Sequence, residues 1–185
     1  MEQTLVILKP DTVQRAIIGE IITRFERAGL KVIGMKMMIP EMELLERHYP
    51  DTLVPVVGEK TKQDWNTYGV EHSETIEEIG QMIVAATREF MRSAPVVAMV
   101  LEGGHAVEIV RKMVGTTGPK DSPAGTIRGD YAHLSLGRAS LQKKGAANII
   151  HASGSVNEAK QEIGLWFDKN ELFEYKTVHE QLTHV

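Results

Sequence analysis

The segment Asn148-Ile149-Ile150-His151-Ala152-Ser153-Gly154-Ser155 carries the densest chemistry in this 185-residue sequence. An apolar approach delivers a histidine to a run of small residues, just ahead of a helix opened by the capping-box pattern Ser155-x-x-Glu158. The small residues let a ligand come close to the backbone. The helix start adds free N–H groups and a partial positive charge, both suited to phosphate. An imidazole of ordinary pKa, about 6.5, is largely neutral at physiological pH and can act as a nucleophile. Glu162 lies two turns into the same helix, beside the buried stripe of Ala159 and Ile163, and can reach back to orient the ring. The same pattern also fits a plain loop-to-helix histidine with a satisfied hydrogen bond.

Basic residues near breaks in the chain are the second signal. Lys9 ends a strand-like run, Arg111 follows the most apolar run, and Arg128 sits in Gly125-Thr126-Ile127-Arg128-Gly129-Asp130. Three cations of this kind can hold a polyphosphate, the arginines through forked contacts; each also fits an ordinary surface charge. Thr117 offers a hydroxyl to the same phosphates or belongs to a plain turn. Tyr49 fits a pocket wall or a core edge, and Trp65 and Tyr68 fit either base stacking or the anchoring of a polar stretch. Lys143-Lys144 reads as a solvated loop.

Composition bounds the rest. Without cysteine, disulfides, zinc ribbons and thiol nucleophiles are excluded. The sequence lacks G-x-x-x-x-G-K-[ST], a strand followed by G-x-G-x-x-G, and H-E-x-x-H, and its seven histidines show no metal-ligand spacing. Net charge is −4, which disfavours a nucleic-acid wrapping surface while leaving small anions open. No apolar run suggests a membrane span and no leader pattern precedes the first strand, so a cytoplasmic protein is expected.

Positioning these groups requires a sheet. Thr4–Leu8, Val32–Ile39 and Ala94–Leu101 are apolar, β-branched runs that predict strands, and Tyr131–Leu136 alternates like a fourth. Helical spacing covers Ile18–Ala28, roughly Glu41–His48, Thr75–Arg92, His105–Val114 and Ser155–Phe167. Pro50 to Thr75 is polar and punctuated, and the long Gly115–Asp130 connection reads as functional. Helices interleaved with four short strands predict one helix-covered sheet.

Taken together, the chain resembles the nucleoside diphosphate kinase family. The resemblance rests on Thr4-Leu5-Val6-Ile7-Leu8-Lys9-Pro10-Asp11, Gly19-Glu20-Ile21-Ile22-x-Arg24-Phe25-Glu26, His48-Tyr49, Pro95-Val96-Val97-Ala98-Met99-Val100-Leu101-Glu102-Gly103, Pro123-x-Gly125-Thr126-Ile127-Arg128-Gly129-Asp130, Asn148-Ile149-Ile150-His151-Ala152-Ser153 and Glu162-Ile163-Gly164-Leu165-Trp166-Phe167. It implies an α/β (α+β) ferredoxin-like fold: a four-stranded antiparallel sheet covered by helices, with an inserted helical or loop segment. It also implies a ping-pong transfer between nucleoside tri- and diphosphates through a phosphohistidine, with broad base tolerance. By position, His151 matches the phosphorylated nucleophile, Glu162 the carboxylate that positions it, and Ser153 the hydroxyl supporting both. Arg111, Thr117 and Arg128 match phosphate-binding groups, Lys9 and Asn148 groups meeting sugar and phosphate, and Tyr49 a residue near the reacting phosphate. Mg²⁺ is implied as bound mainly through the nucleotide phosphates, with no metal site of the protein's own. A homo-oligomer is implied, a hexamer ahead of a tetramer or dimer.

The chain departs from the family pattern in three places. Gly154 stands where the family has Asp, predicting about 0.5–1 kcal/mol of lost helix stability. A gapless count back from Pro95 puts Ile83 at the base-stacking position, with Trp65 or Tyr68 as substitutes. The chain reads as one domain over 1–185, with insertions at about 50–90 and 137–147. A non-catalytic nucleotide-binding oligomer of the same fold is the alternative function, ahead of a nucleic-acid-binding module.

Overall fold

The computed structural model describes residues 1–178 and 180. Four strands, β1 (Glu2–Leu8), β2 (Lys31–Met38), β3 (Val96–Gly103) and β4 (Ile150–Ala152), form one antiparallel sheet in the order β2-β3-β1-β4. The helices are α1 (Pro10–Gln14), α2 (Ile18–Arg27), α3 (Met42–His48), α4 (Val54–Thr67), α5 (Ile76–Arg92), α6 (Ala106–Val114), α7 (Ile127–Tyr131), α8 (Leu136–Leu141) and α9 (Val156–Trp166). Strand order and helix placement give the ferredoxin-like arrangement.

The central strands run apolar through Leu5–Leu8 and Val96–Leu101 because both faces are covered there. Val6, Leu8, Val97, Met99 and Leu101 pack on one side with Ile21 and Phe25 of α2 and Val110 and Val114 of α6. Their neighbours Leu5, Ile7, Val96, Ala98 and Val100 pack on the other with Leu45 of α3, Met91 of α5, and Ile163 and Trp166 of α9. The two-residue period of a strand thus assigns each side chain to one of two cores.

The fourth strand is not where alternation placed it. Thr126 caps a short helix by accepting from Gly129 N at 3.1 Å, so Tyr131 ends α7 and residues 132–135 pass on without a ladder partner. The sheet edge beside β1 is taken instead by Ile150–Ala152, with His151 opposite Ile7. That register puts the His151 side chain on the sheet face covered by α3, α5 and α9.

The polar stretch after Pro50 also folds differently from its punctuation. Pro55 falls in the first turn of α4, where its missing N–H costs nothing. α5 then opens on a complete capping box between Thr75 and Glu78. The two helices cross at glycines: a Cβ on Gly58 would lie 2.0 Å from the Ile76 carbonyl oxygen, and one on Gly80 2.1 Å from that of Val54. No helix among the described residues is long and apolar enough to cross a membrane.

Candidate active site

His151 reaches its place through a strained and over-determined turn. Ile149 has φ of +73°, a conformation that a β-branched residue rarely adopts. Its carbonyl accepts from Lys9 N at 2.9 Å and from the Thr12 hydroxyl, and its own N–H donates to Asp11 Oδ2 at 2.9 Å. Arg128 adds Nε to Asn148 O at 3.1 Å and a second bond to Ile150 O. The β1–α1 corner and α7 therefore hold the turn from two sides, as a strained functional segment requires.

The ring is then fixed by α9. His151 Nε2 lies 2.8 Å from Glu162 Oε1, while Ser153 Oγ donates to Glu162 Oε2 at 2.5 Å. Ser153 is fully buried and accepts in turn from Leu5 N at 3.3 Å, so β1 backs the arrangement. A carboxylate that accepts at Nε2 leaves Nδ1 as the unprotonated nitrogen of a neutral imidazole. His48 packs edge-on against this ring, with centroids 4.6 Å apart, and accepts from Trp166 Nε1 at 3.2 Å. Burial holds the His151 imidazole well below its ordinary 6.5, and Lys9, Arg128 and Arg111 push the same way. Glu158 pulls it upward.

His151 and Glu158 line a cavity of about 460 Å³ together with Lys9, Tyr49, Arg111, Thr117, Arg128 and Asn148. The structure thus brings together every cation singled out in the sequence. Their states differ. The Arg111 side chain makes no hydrogen bond or ion pair with any described residue and lies free on α6. Lys9 is buried, and burial followed by repulsion from Arg128 lowers its pKa to about 8. Arg128 directs three of its nitrogens at the carbonyls of Gly115, Thr116, Asn148 and Ile150, so it ties the loop before Thr117 to the His151 turn as well as facing the cavity. Asn148 donates to Thr117 O at 2.9 Å, and its Oδ1 is buried without a partner among the described residues. The Tyr49 hydroxyl is likewise unpartnered, and burial keeps it protonated. Both are aimed where ligand hydroxyls or phosphate oxygens can satisfy them.

Ile83 lines the cavity, whereas Trp65 and Tyr68 do not. The Trp65 indole N–H bonds Ser140 Oγ at 2.8 Å and the Tyr68 hydroxyl lies 3.1 Å from Ser135 Oγ, so both aromatics join α4 to α8. His48 and Trp166 escaped the sequence reading as members of the site; the histidine directly before Tyr49, at the end of a helix, was the available signal.

Gly154 does not leave the helix start without a carboxylate. Glu158 accepts from Gly154 N at 3.0 Å, and its own N–H bonds Ser155 Oγ at 3.2 Å. A Cβ on Gly154 would lie 2.7 Å from Glu158 Oε2. The acid has moved one turn along the helix and reaches back, so the expected loss of helix stability is offset.

For a hard cation the protein offers little. Of the cavity's carboxylates, Asp64 is on α4 and Glu158 is engaged with Gly154. His48, His151 and Glu162 place one donor atom each within 4.8 Å of one another, but that nitrogen-rich set suits transition metals, not Mg²⁺, and its members already bond within the network.

A family model described as "Nucleoside diphosphate kinase" matches residues 2–54 and 72–172. Relatives named nucleoside diphosphate kinase include one from Pyrobaculum aerophilum, 42% identical over 181 residues, with 94% of this chain and 99% of the relative covered. One from Pyrococcus furiosus is 45% identical over 175 residues, covering 95% and 88%. Among solved structures, an NDP kinase from Pyrobaculum aerophilum superposes with a TM-score of 0.89 at 41% identity, covering 94% of this chain and 99% of that one. A transition-state mimic of nucleoside-diphosphate kinase from Borrelia burgdorferi, with bound vanadate and ADP, gives 0.81 at 36% identity, covering 97% and 94%.

The carboxylate shift is testable by a double-mutant cycle. Gly154→Asp alone is expected to leave stability unchanged or lower it, because a second acid meets Glu158. In a Glu158→Ser background the same change should stabilise, with a coupling of about 0.5–1 kcal/mol. Chemical denaturation of the four proteins reads this directly; additive effects would contradict it.

Proposed function

The chain belongs to the nucleoside diphosphate kinase family and is a nucleoside diphosphate phosphotransferase; from that premise we propose that His151 carries the phosphoryl group in a ping-pong exchange. The observation that carries this reading is the engagement of Nε2 by Glu162, which leaves Nδ1 free of any hydrogen bond to the described residues on a cavity-lining ring. The Nδ1 lone pair attacks the γ-phosphorus of a nucleoside triphosphate, the bond to the β–γ bridging oxygen breaks, and the diphosphate leaves. Phosphorylation at Nδ1 places positive charge on the ring, and Glu162 stabilises it through the retained Nε2–H. In the second half, a β-phosphate oxygen of an incoming diphosphate attacks the same phosphorus. The P–N bond then breaks and neutral imidazole returns.

Phosphoryl transfer depends on positioning and charge neutralisation. Lys9, Arg111 and Arg128 supply the charge, Thr117 and Tyr49 hydroxyl donors, and Asn148 an acceptor for a sugar hydroxyl. Mg²⁺ enters as part of the nucleotide substrate and neutralises phosphate charge when bound. Contacts concentrated on phosphates and sugar favour broad base tolerance. The proposed enzyme is a single cytoplasmic domain over 1–185 that self-assembles, with a hexamer favoured. Edge strand β2 exposes Met35 and Met37, with Ile39 just beyond, at alternate positions, a row that self-association would cover.

Incubation with γ-labelled ATP and Mg²⁺ is expected to give acid-labile label on the protein, lost on a GDP chase with label appearing in GTP and absent in His151→Ala. Bound nucleotide without label would turn the reading to a non-catalytic binding oligomer. The pH profile follows from the two shifted groups. Only neutral His151 is nucleophilic, and its lowered pKa moves the acid limb of kcat/KM below pH 6.5. Lys9 loses its charge as pH rises through about 8, so efficiency falls on that side. An acid limb at the ordinary histidine value would contradict the burial argument.

A further inference from the structure

We propose that α4, nearly all of which falls outside the family match, and α8 together build the slot that holds the nucleotide base, with Val57, Leu136 and Ala139 as base-contacting residues opposite Ile83. The proposal rests on the phosphoryl-transfer reading of the site. Beyond the cations near His151, the cavity is lined by polar and apolar side chains of α4, α5 and α8. Once phosphates are held at the cationic end beside His151, whatever they bear must extend into the remainder, which is walled by α4, α5 and α8.

The helix faces turned inward are regular. α4 presents Val57, Lys60, Thr61 and Asp64 to the cavity at helical spacing, and α8 presents Leu136, Ala139 and Ser140. Val57, Ile83 and Leu136 belong to neither hydrophobic core and are only half-buried, so their apolar surface faces the cavity and not the protein interior. Residues 55–71, which hold nearly all of α4, fall outside the family match. The α4 wall of the slot is therefore an addition beyond the family match, facing the aliphatic side chains of Ile83 and Leu136.

The two helices also fasten one another, which fixes the slot's width. Trp65 Nε1 donates to Ser140 Oγ at 2.8 Å, both residues being buried, and Ser140 Oγ donates to Gly137 O at 2.8 Å. At Gly137 a Cβ would come within 2.6 Å of the Tyr68 ring, so glycine lets the ring lie this close to α8. A planar base between such walls gains dispersion and desolvation without a directional contact, which agrees with tolerance toward different bases.

The test compares two phosphoryl donors, ATP and baseless ribose 5-triphosphate, in labelling of His151 by wild type, Leu136→Ala and Val57→Ala. The ratio of labelling efficiency, ATP over ribose 5-triphosphate, is expected to fall about tenfold in each variant, the effect of losing roughly one buried aliphatic contact. A Val57→Trp variant, which fills the slot, should depress the ratio further, with melting temperatures confirming that each protein is folded. An unchanged ratio overturns the proposal, whether both donors keep their efficiency or lose it equally. Failure of the wild type to accept label from ATP would instead strike at the phosphohistidine reading, so the two failures are distinguishable.

Discussion

A buried carboxylate organises this protein. Glu162 sits under the sheet edge with one oxygen on His151 Nε2 and the other on Ser153 Oγ. Burying such a charge is costly unless donors meet it, and the fold supplies them from separate parts of the chain. β4 brings the imidazole and the residues just beyond it the hydroxyl, while the backbone of β1 holds that hydroxyl in place. α3 and α9 close the other side through His48 and Trp166. The consequence is chemical: the carboxylate selects the tautomer, and the tautomer selects the nitrogen that meets the ligand.

The rest of the site balances opposite demands. Cations must converge to hold phosphates, yet their convergence and burial disfavour charge on the imidazole and on Lys9 itself. The first effect keeps the nucleophile neutral, while Lys9, lowered to about 8, still holds most of its charge near neutral pH in spite of the second. Arg128 shows the structural half of the compromise. By bonding the carbonyls of two loops, it holds the His151 turn against the strain at Ile149 while keeping a place on the cavity wall.

Much of this was legible in the sequence where local pattern and tertiary environment agree. The runs at Thr4–Leu8 and Ala94–Leu101 read as strands because burial on both faces leaves them almost wholly apolar. The histidine before a capped helix read as a site because its neighbours are small and a carboxylate recurs on the helix face. What escaped depends on contacts distant in sequence or on a side chain's reach. Tyr131–Leu136 alternates without a strand to pair with, since residues 150–152 fill the edge. α4 hides behind Pro55 and Gly58, which read as breaks although one suits a first helical turn and the other a helix crossing. Glu158 standing in for the acid missing at Gly154 follows only from seeing the side chain fold back one turn. The engagement of Arg128 with backbone carbonyls leaves no trace in local sequence.

The central claim, that Glu162 chooses the reacting nitrogen, is tested most directly by finding which imidazole nitrogen becomes phosphorylated. Phosphorus and nitrogen NMR of the protein labelled on His151 distinguishes the two isomers. The Glu162 contact predicts phosphate on Nδ1 with the proton retained on Nε2. Phosphate on Nε2 would mean that the carboxylate releases the ring before reaction, and Glu162 would then not be the group that selects the nucleophile.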